Sequence, residues 1–224
     1  MTRTCDLLVR SQTLYPTELR ARNSQQYNLQ SPPFLPKRHV SHITGVAARG
    51  QDAYSEGMTY TQGVELTQNE TLAAIEKKTG PNNFLRVMSR RPEAMEAFLK
   101  LYGNLLGPGT VERRIKEMVY LAVSFVNECS YCATHHVKTA RKAGLTDDEI
   151  EAIRHETNEH FNVKEQAALH YARELTRTAS VDGDVRLRAT EHFPAEQLVE
   201  LTMLIGLANF TNRFNNGLAV PLEH

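Results

Sequence analysis

The richest chemistry in this chain lies in Asn127-Glu128-Cys129-Ser130-Tyr131-Cys132-Ala133-Thr134-His135-His136. Two cysteines three residues apart can close a small disulfide ring across the first turn of a helix. A thiol at a helix N-terminus feels the positive end of the macrodipole and the unpaired backbone N–H groups. Both favour the thiolate, which is the nucleophile. His136 follows Cys132 by four residues, so on a helix the two share a face. An imidazole there can accept a thiol proton and return it to a leaving group near neutral pH. Glu117 stands twelve residues before Cys129, beside the apolar run Met118–Val126. A carboxylate in so apolar a helix needs a partner, and a histidine or an ordered water in the cysteine pocket would serve. Burial raises the proton affinity of a carboxylate, so Glu117 is expected to act as a proton acceptor or donor near neutrality.

Register favours Cys132 as the sulfur that reacts first with a small oxidant, leaving Cys129 for exchange with a partner. The same residues admit a bland reading. Cys129, Cys132 and His135 or His136 could supply three zinc ligands, but structural zinc takes four. His155, His160 or His170 could complete the set only if folding happened to bring one close. His135, one residue out of register, reads as a surface or interface residue, and Tyr131 as a packing residue. Glu117 could instead be salt-bridged to Arg113 or Arg114.

The elements that must hold these residues are helical. Residues 111–127 read as a helix with Thr110 as N-cap and Glu112 in its first turn. Its all-round apolar character from Met118 to Val126 places it at the centre of a bundle. A second helix runs from about Tyr131 to Ala143, with Gly144 as its terminator. Thr146-Asp147-Asp148-Glu149 is a capping box for the next, and Asn162 to Glu165 reads the same way. Upstream, a short helix through Leu72 and Ile75 ends at Gly80-Pro81. Pro92 opens another, through Phe98 and Leu105, that stops at Gly107-Pro108-Gly109. Asp182-Gly183 marks a turn, and Pro194 opens a last helix through Leu201 and Ile205 to about Phe214. No segment has a convincing strand pattern, so the fold class is an all-α helical bundle.

Composition sets the boundaries. Residues 1–57 hold Arg3, Arg10, Arg20, Arg22, Lys37, Arg38 and Arg49, with prolines and no periodic apolar face. They are expected to form a poorly structured N-terminal extension to a helical domain at 58–224. The extension includes Cys5, a bystander to the chemistry. Lys plus Arg and Asp plus Glu both number 26, a balance that favours neither a nucleic-acid partner nor an anionic membrane. No apolar run reaches the roughly 18 residues of a membrane span. Three cysteines, an odd count with one close pair, fit an intracellular, cytoplasmic protein better than a secreted disulfide framework.

Glu117, the Cys129-Ser130-Tyr131-Cys132 turn and His136 together resemble the alkylhydroperoxidase D-like, peroxidase-related branch of the carboxymuconolactone decarboxylase superfamily. Flanking residues agree: Phe98-Leu99-Lys100-Leu101-Tyr102-Gly103, Leu121-Ala122-Val123-Ser124, Arg141-Lys142-Ala143-Gly144-Leu145-Thr146 and Asn209-Phe210-Thr211-Asn212-Arg213. The likeness spans roughly residues 67–217. It implies a compact helical bundle assembling as a homo-oligomer, a trimer or hexamer. It also implies an antioxidant enzyme that reduces a hydroperoxide through the Cys pair, with Glu117 and His136 as proton relay. Such an enzyme needs no cofactor and takes its electrons from a thiol or dithiol donor protein. The likeness departs at Tyr131, where peroxidase members carry a second His. Lactone decarboxylation, run by His136 and Glu117 as acid and base, is the enzymatic alternative. A zinc-binding or redox-sensing helical module is the non-enzymatic one.

Overall fold

A computed structural model describes residues 69–223 of the chain. Those residues form nine helices and no strand: α1 Glu70–Thr79, α2 Asn83–Met88, α3 Pro92–Leu106, α4 Arg113–Val126, α5 Ser130–Lys142, α6 Asp147–His155, α7 Val163–Thr178, α8 Gly183–His192 and α9 Ala195–Gly217. The all-α expectation holds. The expected extension at 1–57 lies outside the described residues, as does Cys5.

The bundle is organised around α4, which packs against α5, α6, α7 and α9. Every residue from Ile115 to Ser124 is buried, as an apolar surface on all sides requires. Opposite faces of α4 serve two cores. Ile115, Val119, Tyr120 and Val123 join Leu201, Leu204 and Ala208 of α9 and Met95 of α3. Met118, Leu121 and Ala122 join Ile150 and Ile153 of α6 and Leu169 of α7. Both predicted capping boxes form: Thr146 with Glu149 opens α6, and Asn162 with Glu165 opens α7. Gly144, at φ +90°, ends the turn after α5 in a conformation few other residues adopt.

Three local expectations change. Helix α4 starts at Arg113 after an extended Glu112, and Thr110 is not its cap. The Thr110 N–H and hydroxyl both donate to Glu200 Oε2, at 2.7 and 2.5 Å, which ties the α3–α4 loop to α9. Lys116, with no exposed surface, joins the same anchor through the Gly107 carbonyl (2.9 Å) and the Glu200 carboxylate. A Cβ on Gly109 would collide with that carboxylate, so a larger residue there would have to displace the Glu200–Lys116 pair. The Asp182-Gly183 turn proves to be the start of α8, and α2 fills the interval before Pro92. Among the described residues no helix is long and apolar enough to cross a membrane.

Candidate active site

The α4–α5 turn places the cysteines. Asn127 ends α4, Glu128 adopts a left-handed conformation (φ +52°), and the Cys129 N–H reaches back to the Ser124 carbonyl at 2.9 Å. The chain thereby reverses tightly, and Cys129 becomes the N-cap of α5, its Sγ accepting from the Cys132 N–H at 3.3 Å. The two sulfurs form a disulfide, with Cα atoms 5.4 Å apart. Both are deeply buried, at 1% exposure for Cys129 and 4% for Cys132. They differ in what they face. Cys132 lines a cavity of about 390 Å³ enclosed by α1, α2, α3, α4, α5 and α9, and Cys129 does not. The wall is largely apolar, with Phe84, Phe98, Tyr102 and Tyr120, and is interrupted by His135, His136, Thr211 and Asn215.

One turn beyond Cys132, His136 stacks on the Tyr120 ring, with centroids 3.5 Å apart and planes 14° apart. Tyr120 is itself held by Thr211, oxygen to oxygen at 2.5 Å. The His136 Nδ1 lies 2.8 Å from Glu117 Oε2, which also accepts from the Thr139 hydroxyl at 2.7 Å. Glu117 Oε1 faces the Arg113 guanidinium. Burial pushes the Glu117 carboxyl up, but the His136 and Thr139 hydrogen bonds and the Arg113 charge outweigh it and hold the group below its ordinary value. The expected proton acceptor with raised affinity is therefore a fixed carboxylate. It accepts the Nδ1 proton, sets the tautomer and leaves Nε2 as the ring nitrogen free to work in the cavity.

Helix α9 contributes a residue that sequence reasoning missed. Asn215, at 4% exposure, points Nδ2 at Cys132 Sγ across 3.2 Å. Its Oδ1 is buried with no hydrogen-bond partner among the described residues. At the cavity edge, the Tyr131 hydroxyl donates to Glu223 Oε1 at 2.6 Å and accepts from the Phe84 N–H at 3.1 Å. His135 Nε2 lies 3.0 Å from Glu223 Oε2, and its ring leans on Tyr131 at 4.5 Å. Burial pushes the Tyr131 phenol up, and the neighbouring Glu223 adds to this. The Glu223 carboxyl is raised by burial but lowered by more, through Tyr131, the Asn83 N–H and His135.

The sequence profile of the carboxymuconolactone decarboxylase family matches residues 92–174. An uncharacterized Bacillus subtilis protein, YdfG, is 30% identical over 128 residues, 55% of this chain and 86% of YdfG. A crystal structure of an Agrobacterium tumefaciens protein of unknown function, advanced as an AhpD antioxidant defence protein, shares 28% identity. That alignment covers 60% of this chain and 95% of the other, with a TM-score of 0.55. An uncharacterized peroxidase-related protein from Silicibacter sp. TM1040 shares the fold at 24% identity and a TM-score of 0.61, over 69% of this chain and 83% of the other.

The chain belongs to the carboxymuconolactone decarboxylase family. Within it, the alkylhydroperoxidase D-like branch is the one whose members it resembles in fold. In this family member the four predicted residues Glu117, Cys129, Cys132 and His136 come together at one place, Cys132 and His136 on the cavity wall. Glu117 does meet Arg113, as its alternative reading had it, but through one oxygen while the other serves His136. Among the described residues no three of His, Cys, Asp and Glu gather as metal ligands, and His155, His160 and His170 lie away from the cavity wall. His135 and Tyr131, read as surface and packing residues, are tied to a carboxylate near the C-terminus instead. The signal that could have found Asn215 is the polar run Asn209, Thr211, Asn212, Asn215 and Asn216 in an otherwise apolar helix. Asn127 donates to Asn209 and Asn212 at 3.0 and 3.1 Å, and Asn216 donates to the Asn127 carbonyl at 2.8 Å, lashing α9 to the cysteine turn.

A larger charged groove, about 560 Å³, lies along α7 and α8. It holds no cysteine, and its buried Arg173 donates to the Ile153 carbonyl at the end of α6, a structural role.

Proposed function

We propose that this protein is a thiol-dependent hydroperoxide reductase. The observation that carries this reading is the placement of Cys132 and His136 on one cavity wall, with the imidazole held at Nδ1 by the Glu117 carboxylate. In the reduced protein, His136 Nε2 accepts the Cys132 thiol proton. The thiolate attacks the terminal peroxide oxygen, the O–O bond breaks, and a sulfenic acid forms on Cys132. The departing alkoxide takes the proton from His136 and leaves as an alcohol. The Cys129 thiolate then attacks the sulfenic sulfur and expels hydroxide, which is protonated to water. The product is the Cys129–Cys132 disulfide, and the dithiol has supplied both electrons. A dithiol donor protein restores the pair by exchange. The exchange role assigned to Cys129 from sequence passes to Cys132, because Cys129 is 1% exposed and, unlike Cys132, lines no part of the cavity.

The aromatic wall favours organic hydroperoxides over hydrogen peroxide, since it offers apolar surface to an alkyl or aryl group. Lactone processing would leave the cysteine pair without a role. The exposed apolar stripe of Val199, Met203 and Phe210 on α9, with Leu101 of α3, supports a homo-oligomer. The test is hydroperoxide consumption with dithiothreitol as donor, comparing cumene hydroperoxide with hydrogen peroxide. Wild-type protein should turn over and Cys132→Ser should be inert; equal background rates for both would end the proposal.

A further inference from the structure

We propose that Asn215 is a catalytic residue of this site, with its two amide atoms holding the Cys132 thiolate and the hydroperoxide O–H together. The inference rests on the peroxidase reading and deepens it. A disulfide sulfur or a thiolate carries no proton and can only accept, so the amide must turn Nδ2–H toward Cys132 Sγ, 3.2 Å away. That choice leaves Oδ1 buried with no protein donor among the described residues, on a side chain that lines the cavity. A buried amide oxygen without a partner is costly, and a molecule entering the cavity that Asn215 lines can supply the donor that the protein does not. A hydroperoxide carries its single O–H on the terminal oxygen, the atom that the sulfur attacks. An O–H donated to Oδ1 therefore sets that oxygen beside Cys132 Sγ, on the side chain that already touches the sulfur.

Cleavage keeps this bond. The terminal oxygen and its hydrogen pass to Cys132 as the sulfenic S–O–H, still donating to Oδ1. The remaining alkoxide takes its proton from His136, and the electron pair of the new S–O bond comes from the thiolate. The sulfenic hydroxyl is thereby held while Cys129 attacks. The site selects ligands with an O–H on the reacting oxygen.

The experiment uses the full chain in a Cys5→Ser, Cys129→Ser background, where Cys132 is the single thiol. Thiolate absorbance against pH gives its pKa without reference to turnover. Asn215→Leu should raise that pKa by about one to two units, the worth of one hydrogen bond to a charged group. Thr202→Ser, on the same helix and bonded to Tyr171 and the Leu198 carbonyl away from the cavity, should leave it unmoved. Above the raised pKa, where the thiol is fully ionised in both proteins, Asn215→Leu should still react about tenfold more slowly with cumene hydroperoxide, from lost orientation. If the leucine variant fails to fold, Asn215→Ser carries the same measurements. An unshifted thiol pKa, or equal rates at full ionisation, overturns the proposal. If the wild-type chain consumes no hydroperoxide but the pKa shift appears, the peroxidase reading and the Oδ1 role fall together, while the thiolate contact stands.

Discussion

Glu117→Gln separates orientation of the imidazole from storage of a proton. The native carboxylate has no exposed surface and serves three groups: His136 Nδ1 at 2.8 Å, the Thr139 hydroxyl at 2.7 Å and the Arg113 guanidinium. Glutamine keeps the volume but has only one acceptor oxygen. If that oxygen stays on His136, the amide NH2 faces Arg113, donor against donor, and Arg113 is held in place by the Leu106 carbonyl. Turning the amide relieves Arg113 but presents NH2 to Nδ1, which forces the ring proton onto Nε2. The nitrogen facing the cavity then cannot accept a thiol proton. Hydroperoxide turnover at pH 7 should fall by about 10²-fold or more, the usual worth of a general base and about 2.7 kcal/mol in the barrier. The fold loses one charge-assisted hydrogen bond, about 1.5–3 kcal/mol, or about 3–12 °C in Tm for a chain of this size. The pH dependence separates the two effects. Because the folded-state pKa of Glu117 lies below its unfolded value of 4.5, its stabilisation is present above pH 4.5 and is lost as pH falls through the lower folded value. Glu117→Gln should lack that part of the acid limb. Steady-state kinetics from pH 5 to 9 and thermal unfolding from pH 3 to 7 are the assays. A variant that keeps turnover within about threefold of wild type at pH 7 would refute the tautomer argument, whatever its Tm.

Thiol titration of the full chain should differ by two thiols before and after dithiothreitol, and two free thiols surviving excess hydroperoxide would contradict a Cys129–Cys132 redox pair. His135→Gln loosens Glu223 but leaves the His136–Glu117 bond intact, so its rate should stay within about threefold of wild type; a loss equal to that of His136→Gln would mean that both imidazoles handle protons. The Glu200 carboxyl, raised by burial but pulled down to about 2 by Lys116 and Thr110, stabilises the fold above pH 4.5 and progressively less down to pH 2. Glu200→Gln should flatten that limb in a Tm-versus-pH series and, by stranding the buried Lys116, cost about 3–5 kcal/mol at neutral pH; an unchanged Tm at pH 7 would show that the lysine finds other partners. Met203→Glu with Phe210→Glu should reduce the oligomer seen by light scattering to a smaller species, and an unaltered mass would move the interface elsewhere.

The parts of the site that were legible in the sequence are those set by short-range geometry. The Cys129–Cys132 spacing, the shared face of Cys132 and His136, and the capping boxes at Thr146 and Asn162 depend on a turn or two of helix, which the local chain dictates. The buried course of α4 was equally plain, because an apolar surface on all sides leaves a helix no solvent face. Tertiary structure decided whatever depends on groups remote in sequence. Thr110 looked like a cap until Glu200, 90 residues on, took its donors. Asn215 reaches Cys132 across 83 residues, and Glu223 reaches Tyr131 across 92. The sign of the Glu117 shift turned on the same kind of fact. Burial alone raises a carboxyl, and only the count of donors brought to it, from His136 and Thr139 on α5 and Arg113 a turn away on α4, decides whether that penalty is outweighed. Periodicity tells a residue which face it occupies. What stands opposite that face is set by how the helices pack.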